Sequence, residues 1–148
     1  MLAPSIASKS LAELNALGPY GDADSHIGEQ IRALSQKPLR EFSSEDLAFL
    51  LRQSAGLQFV VPLALERLRV HPLTHRDYYP GVLLVAALGV DQTFWRQHTH
   101  WRAELDEIAQ RTLASLRGRS HKAQDKFHMS LDALAKAYDT FAAATSAV

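Results

Sequence analysis

Apolar residues at helical spacing dominate the centre of the chain. From Leu47 to Leu68 they recur every three or four residues, which is the period of one helix face. Gly56 interrupts this run and is expected to end the first of two helices. Pro72 and Pro80 bracket a segment that can continue neither flanking helix. From Val82 to Leu88 nearly every residue is apolar, so we expect a short helix that is buried on most sides.

Capping residues mark where these helices begin. Ser43 can accept the amide of Asp46 at the start of the first central helix, because a serine oxygen satisfies a free amide there. Asp91 can cap a turn that leads into a longer helix. Pro62 is expected near the start of the second central helix, where its missing amide costs little.

Two more helices are predicted in the last third of the chain. Apolar residues recur at spacings of four and three from Trp101 to Leu116 and from Phe127 to Phe141, with Gly118 between them. No long stretch alternates as a strand would. The sequence therefore predicts an all-α, single-domain bundle of about six to eight helices spanning residues 1–148. Residues 18–25 are expected to form a loop and residues 142–148 a frayed end.

Composition excludes several classes of partner. The 148 residues include 16 Lys and Arg against 16 Asp and Glu, so no overall field attracts nucleic acid or an anionic membrane. Cysteine is absent, which removes disulfides and thiolate ligands. The chain start lacks the pattern of a secretory signal, and no apolar run reaches the roughly 18 residues of a membrane span. We expect a cytoplasmic protein that binds neither nucleic acid nor membrane.

The residues that could carry chemistry form no convincing site. His98 and His100 are two residues apart, so on a helix they point away from each other and are expected to be solvated. Pro72 disfavours the helix that would pair His71 with His75. No serine lies in a nucleophile elbow and no glycine-rich phosphate loop is present. We therefore expect no enzyme activity, metal, cofactor or small-molecule substrate.

Two pairs of aromatic residues have alternative interpretations. Tyr78 and Tyr79 could form an exposed recognition surface, but packing of at least one of them against the core is favoured. Trp95 and Trp101 are expected to face the core.

Many fixed spacings in the central third resemble the immunity proteins of bacterial contact-dependent growth inhibition (CDI) systems. Their pattern has a Leu-rich helix ending in Gln-x-x-Gly-Leu, then an aromatic residue, a proline and Ala-Leu-Glu. Asn/His-Pro-Leu follows, and then Tyr-Tyr-Pro-Gly-Asp-Leu-Leu. The matching positions, which we interpret as scaffold, are Gln53, Gly56, Leu57, Pro62, Ala64, Leu65, Pro72, Tyr79, Pro80, Gly81, Leu83 and Leu84. Val82 departs from the pattern, which has an acidic residue there.

The resemblance implies a function that the composition alone does not indicate. It implies an inhibitor encoded beside its toxin, which binds the toxin domain tightly and one to one without catalysis. Such toxins are commonly nucleases. A helical adaptor or regulatory module that binds another protein is the alternative, and an unrecognised small enzyme is a third possibility.

The toxin-binding surface is expected outside the shared motif, because discrimination between toxins requires positions that differ between immunity proteins. A nuclease has a basic cleft, so acidic side chains could fill it and accelerate association. The candidates are Glu41, Glu45 and Asp46 near one helix start, and Glu104 and Glu107 on the long helix. Ordinary solvated acids are an equally good interpretation of any single one of them.

Overall fold

The computed structural model describes residues 4–14, 25–72, 81–118 and 121–146. In these ranges it contains eight α-helices, one 3-10 turn and no strand, which confirms the all-α prediction. The elements are α1 (Pro4–Ala7), α2 (His26–Ser35), the 3-10 turn (Leu39–Glu41), α3 (Ser44–Arg52), α4 (Leu57–Val70), α5 (Val82–Leu88), α6 (Gln92–Gln97), α7 (Thr99–Arg117) and α8 (His121–Ser146). No helix among the described residues has the length and apolar content that a membrane span requires.

The start of α3 is closed by a reciprocal capping box. The Ser43 hydroxyl accepts the amide of Asp46 at 3.1 Å, and the Asp46 carboxylate accepts the amide of Ser43 at 3.0 Å. Two free amides of the first turn are thereby satisfied, which confirms the predicted cap. Asp91 also acts as predicted, since its carboxylate accepts the amide of Thr93 at 2.7 Å before α6.

The helix α5 lies at the centre of the core. It contacts α3, α4, α7 and α8, and six of its seven residues are buried. Leu83 and Leu84 are among the largest fully buried side chains. The nearly continuous apolar composition of α5 is explained by this position, because a helix surrounded by other helices has no solvated face.

The connection between α3 and α4 differs from the prediction. The helix α3 ends at Arg52, before Gly56. Ser54 and Gly56 both adopt left-handed backbone conformations, with φ of 55° and 62°, and so reverse the chain direction. The carbonyl of Gly56 then accepts the amide of Val60 at 2.9 Å. Gly56 therefore begins α4 and does not end α3.

One other expectation also requires correction. Pro62 lies in the interior of α4, as its sixth residue, so the carbonyl of Gln58 loses its usual helical partner. The helix α8 extends to Ser146, and fraying of residues 142–148 stays a prediction. Of the predicted loop, residues 18–24 lie outside the described residues, whereas Ser25 caps α2.

A single arginine ties α4 to the segment that leads into α3. The Arg67 guanidinium donates to the carbonyl of Phe42 at 2.8 Å and to the hydroxyl of Ser44 at 3.4 Å. Phe42 is itself buried. This contact helps to fix the position of the acidic residues that surround the start of α3.

Candidate functional site

The acids near the start of α3 have unequal roles. Asp46 is held in place, because its carboxylate serves the capping box and also accepts from Lys37 Nζ at 3.0 Å. Its side chain is only 21% exposed. Glu41 and Glu45 are exposed. Within the described part of the chain neither of them has an ion-pair partner.

The acids on α7 are already paired with arginines. Glu104 accepts from Arg69 Nε of α4 at 2.8 Å. Glu107 pairs with Arg111, one turn further along α7. These four side chains border a shallow groove between α4 and α7. The structure therefore places a mixed-charge surface where the sequence suggested an acidic one.

A larger groove lies beside the start of α3. It has a volume of about 410 Å³ and is formed by α2, α3 and the first residue of α5. Its apolar lining consists of Ala33, Leu34, Ala48, Phe49 and Val82. Its polar lining consists of Gln30, Glu45, Asp46 and Arg52. Two of the acids selected from the sequence thus lie on the edge of an apolar depression.

Phe49 is not among the candidates predicted from the sequence, although its position in the helical pattern of α3 distinguishes it. The buried face of α3 carries Leu47, Leu50 and Leu51. Phe49 lies two residues from Leu47 and Leu51, so it is outside this stripe, and it is half-buried. A large aromatic residue off the core stripe of a helix is a recognisable indication of a second contact surface.

Most of the motif residues that the structure describes lie in the core or at helix ends. Gly56 and Gly81 are buried, with φ of 62° and 98°. Ala64, Leu65, Leu83 and Leu84 are buried, whereas Gln53, Leu57, Pro62 and Pro72 are half-buried. Tyr78, Tyr79 and Pro80 lie outside the described residues.

An aromatic cluster forms at the junction of α6 and α7, where the sequence predicted solvated histidines. The His98 ring stacks on Phe94 and on Trp101, with centroid distances of 4.2 and 4.7 Å. His98 Nδ1 lies 3.0 Å from the carbonyl of Phe94. Trp101 is half-buried and packs against the hydrophobic core, which agrees with the expectation that it faces the core. Trp95 is fully buried, as predicted.

Among the described residues, two titratable groups have shifted pKa values. The backbone amide and hydroxyl of Thr93 lower the pKa of Asp91, because they stabilise its charged form. Burial raises the pKa of Tyr138, and a hydrogen bond to Asp106 acts in the same direction. Among the described residues no cluster of three or more potential metal ligands was found.

The groove beside α3 and most of the other candidate residues lie within the part of the chain that resembles a known family, whereas Glu107 lies outside it. The family model of the CDI immunity proteins matches residues 13–105, which is more than half of the chain. The match extends from the turn before α2 into α7. No curated protein and no solved structure matches the chain significantly. The chain therefore belongs to the CDI immunity proteins.

Proposed function

We propose that this chain neutralises one cognate toxin domain by tight one-to-one binding, without modifying the toxin chemically. The observation that carries this proposal is the family match over residues 13–105, since a CDI immunity protein implies a toxin as its binding partner. The sequence supports inhibition without catalysis, because it contains no nucleophile elbow and no phosphate-binding loop.

The proposed toxin is a nuclease whose positive active-site cleft receives carboxylates from the immunity protein. Glu41 and Glu45 suit this role best, because both are exposed and neither is paired within the described residues. Glu104 and Glu107 suit it less well. Each would have to exchange an arginine of its own chain for one from the toxin, and such an exchange of exposed pairs gains little free energy.

The tyrosines Tyr78 and Tyr79 remain a prediction for this interface.

Asp46 is assigned a different role from Glu41 and Glu45. Its carboxylate caps α3 and binds Lys37, so its loss would alter the surface by destabilising the helix start. Asp46 is therefore left unchanged in the experiment that tests the surface.

The test measures binding to the toxin domain encoded beside the gene for this chain, inactivated by substitution. The double variant Glu41→Gln/Glu45→Gln is expected to slow association at low salt and to lose this effect at high salt, because salt screens charges about 10 Å apart at 0.1 M. The control is Glu104→Gln/Glu107→Gln, which removes the same number of charges from the other surface.

The outcomes test the immunity function and the position of the interface separately. If the unchanged protein neither binds the toxin domain nor protects cells that produce it, the proposed function is wrong. If it binds, but the α7 control is the slower variant, the interface lies on α7. A covalently altered toxin after incubation would contradict inhibition without catalysis.

A further inference from the structure

The groove beside α3 has the form of an anchor site. Its floor is firm, because Ala48 and Val82 are only 1% and 4% exposed and belong to the packed interior. Leu34 and Phe49 form its half-buried walls, and Ala33 borders it from the exposed side of α2. Protein interfaces concentrate their binding energy where one apolar side chain fills a pocket of this kind.

The two ends of the groove carry opposite charges. Glu45 lies in the first turn of α3 and Arg52 is the last residue of the same helix. Seven residues of helix separate them by about 10 Å. Both are exposed, and in the described part of the chain neither forms an ion pair. One end of the groove is therefore negative and the other end positive.

We propose that this groove receives one apolar side chain of the toxin, on a segment with a basic residue toward Glu45 and an acidic residue toward Arg52. The helical rise of about 10 Å between positions 45 and 52 corresponds to about three residues of extended chain or about two turns of helix. This inference rests on the proposed function and adds the chemistry of the bound segment. A purely acidic plug would require neither Phe49 nor Arg52.

The first test fills the groove. Ala33 is exposed on α2 and lines the groove, so the variant Ala33→Trp can block it without disturbing the core. The matched control is Ala114→Trp, which places the same indole in a different groove, between α7 and α8. We expect Ala33→Trp to weaken binding to the inactivated toxin domain about tenfold or more, and the control to change it less than about twofold.

The second test concerns the orientation of the bound toxin segment, which the two charges are proposed to set. Glu45→Lys and Arg52→Glu should each weaken binding at low salt. A photo-cross-linking residue in place of Gln30, an exposed residue on the polar lining of the groove, should capture the bound segment for mass spectrometry. The captured segment is expected to carry an apolar residue between a basic and an acidic one. Capture of a segment without this pattern would overturn the assigned chemistry.

These outcomes distinguish the inference from the function on which it rests. Binding by the unchanged protein together with unaltered binding by a folded Ala33→Trp would refute the groove and leave the immunity function intact. Failure of the unchanged protein to bind would refute both. Circular dichroism melting curves of each variant show that it is folded.

Discussion

Replacing Gly56 by alanine tests how the chain reverses between α3 and α4. Gly56 precedes α4 with φ of 62°, a left-handed conformation that an L-residue adopts at a cost. A Cβ at this position would lie 2.9 Å from Leu11 Cδ2 and 3.1 Å from Leu11 Cδ1. Leu11 is fully buried, so it has little freedom to move away.

The expected loss of stability has two parts. The left-handed conformation costs about 1–2 kcal/mol for a residue with a Cβ. Forcing one more methyl group against a packed core residue adds about 1–3 kcal/mol. Gly56→Ala should therefore lower the free energy of unfolding by about 2–5 kcal/mol.

Gly89→Ala is the matched control. Gly89 ends α5 with φ of −83°, and a Cβ there would meet only carbonyl oxygens at 3.5 Å or more. An alanine fits this conformation and reduces the entropy of the unfolded chain. We expect Gly89→Ala to raise the free energy of unfolding by about 0.4–1 kcal/mol.

Urea unfolding followed by circular dichroism measures both variants. A second background separates the two parts of the cost. In Leu11→Ala the clash disappears, so Gly56→Ala should cost only the backbone part, about 1–2 kcal/mol. If Gly56→Ala is no more destabilising than Gly89→Ala, position 56 does not require a glycine. An equal cost of Gly56→Ala in both backgrounds would refute the clash with Leu11.

Three further predictions concern the contacts that support the candidate surface. Ser43→Ala should lower the free energy of unfolding by about 1 kcal/mol, measured in urea, because the capping hydrogen bond to Asp46 is lost; an unchanged midpoint would contradict this. Arg67→Ala should cost about 1–3 kcal/mol in the same assay, since it leaves the carbonyl of buried Phe42 without this donor, and Arg67→Lys should recover only part. Asp91 has a lowered pKa when folded, so its stabilising effect is present above its ordinary pKa of 3.8 and is lost as the pH falls through the folded value. Asp91→Asn keeps a capping oxygen but removes the titrating carboxylate. Its loss of stability relative to the unchanged protein should therefore become smaller as the pH is lowered. A loss that does not depend on pH would contradict the role of the Asp91 carboxylate.

The positions of the helices could be predicted from the sequence because the signals for them are local. The cap at Ser43 depends on Asp46, three residues away, and the burial of Val82–Leu88 follows from its own composition. The pairing of Glu107 with Arg111 is also local, since residues four apart lie on the same face of a helix. The family pattern belongs to the same category, because it consists of fixed spacings along the chain.

Tertiary structure decided which side chains meet across helices. Arg69 and Glu104 are 35 residues apart, and only the packing of α4 against α7 brings them together. The groove has the same origin, since Ala33 and Phe49 lie on different helices and no spacing relates them. Helical periodicity identifies the face of each helix that is buried, but the relative placement of two helices depends on the whole packed core. The sequence therefore determined the helices and the family, whereas the packing determined that Glu104 is paired across two helices and which acids border an apolar groove.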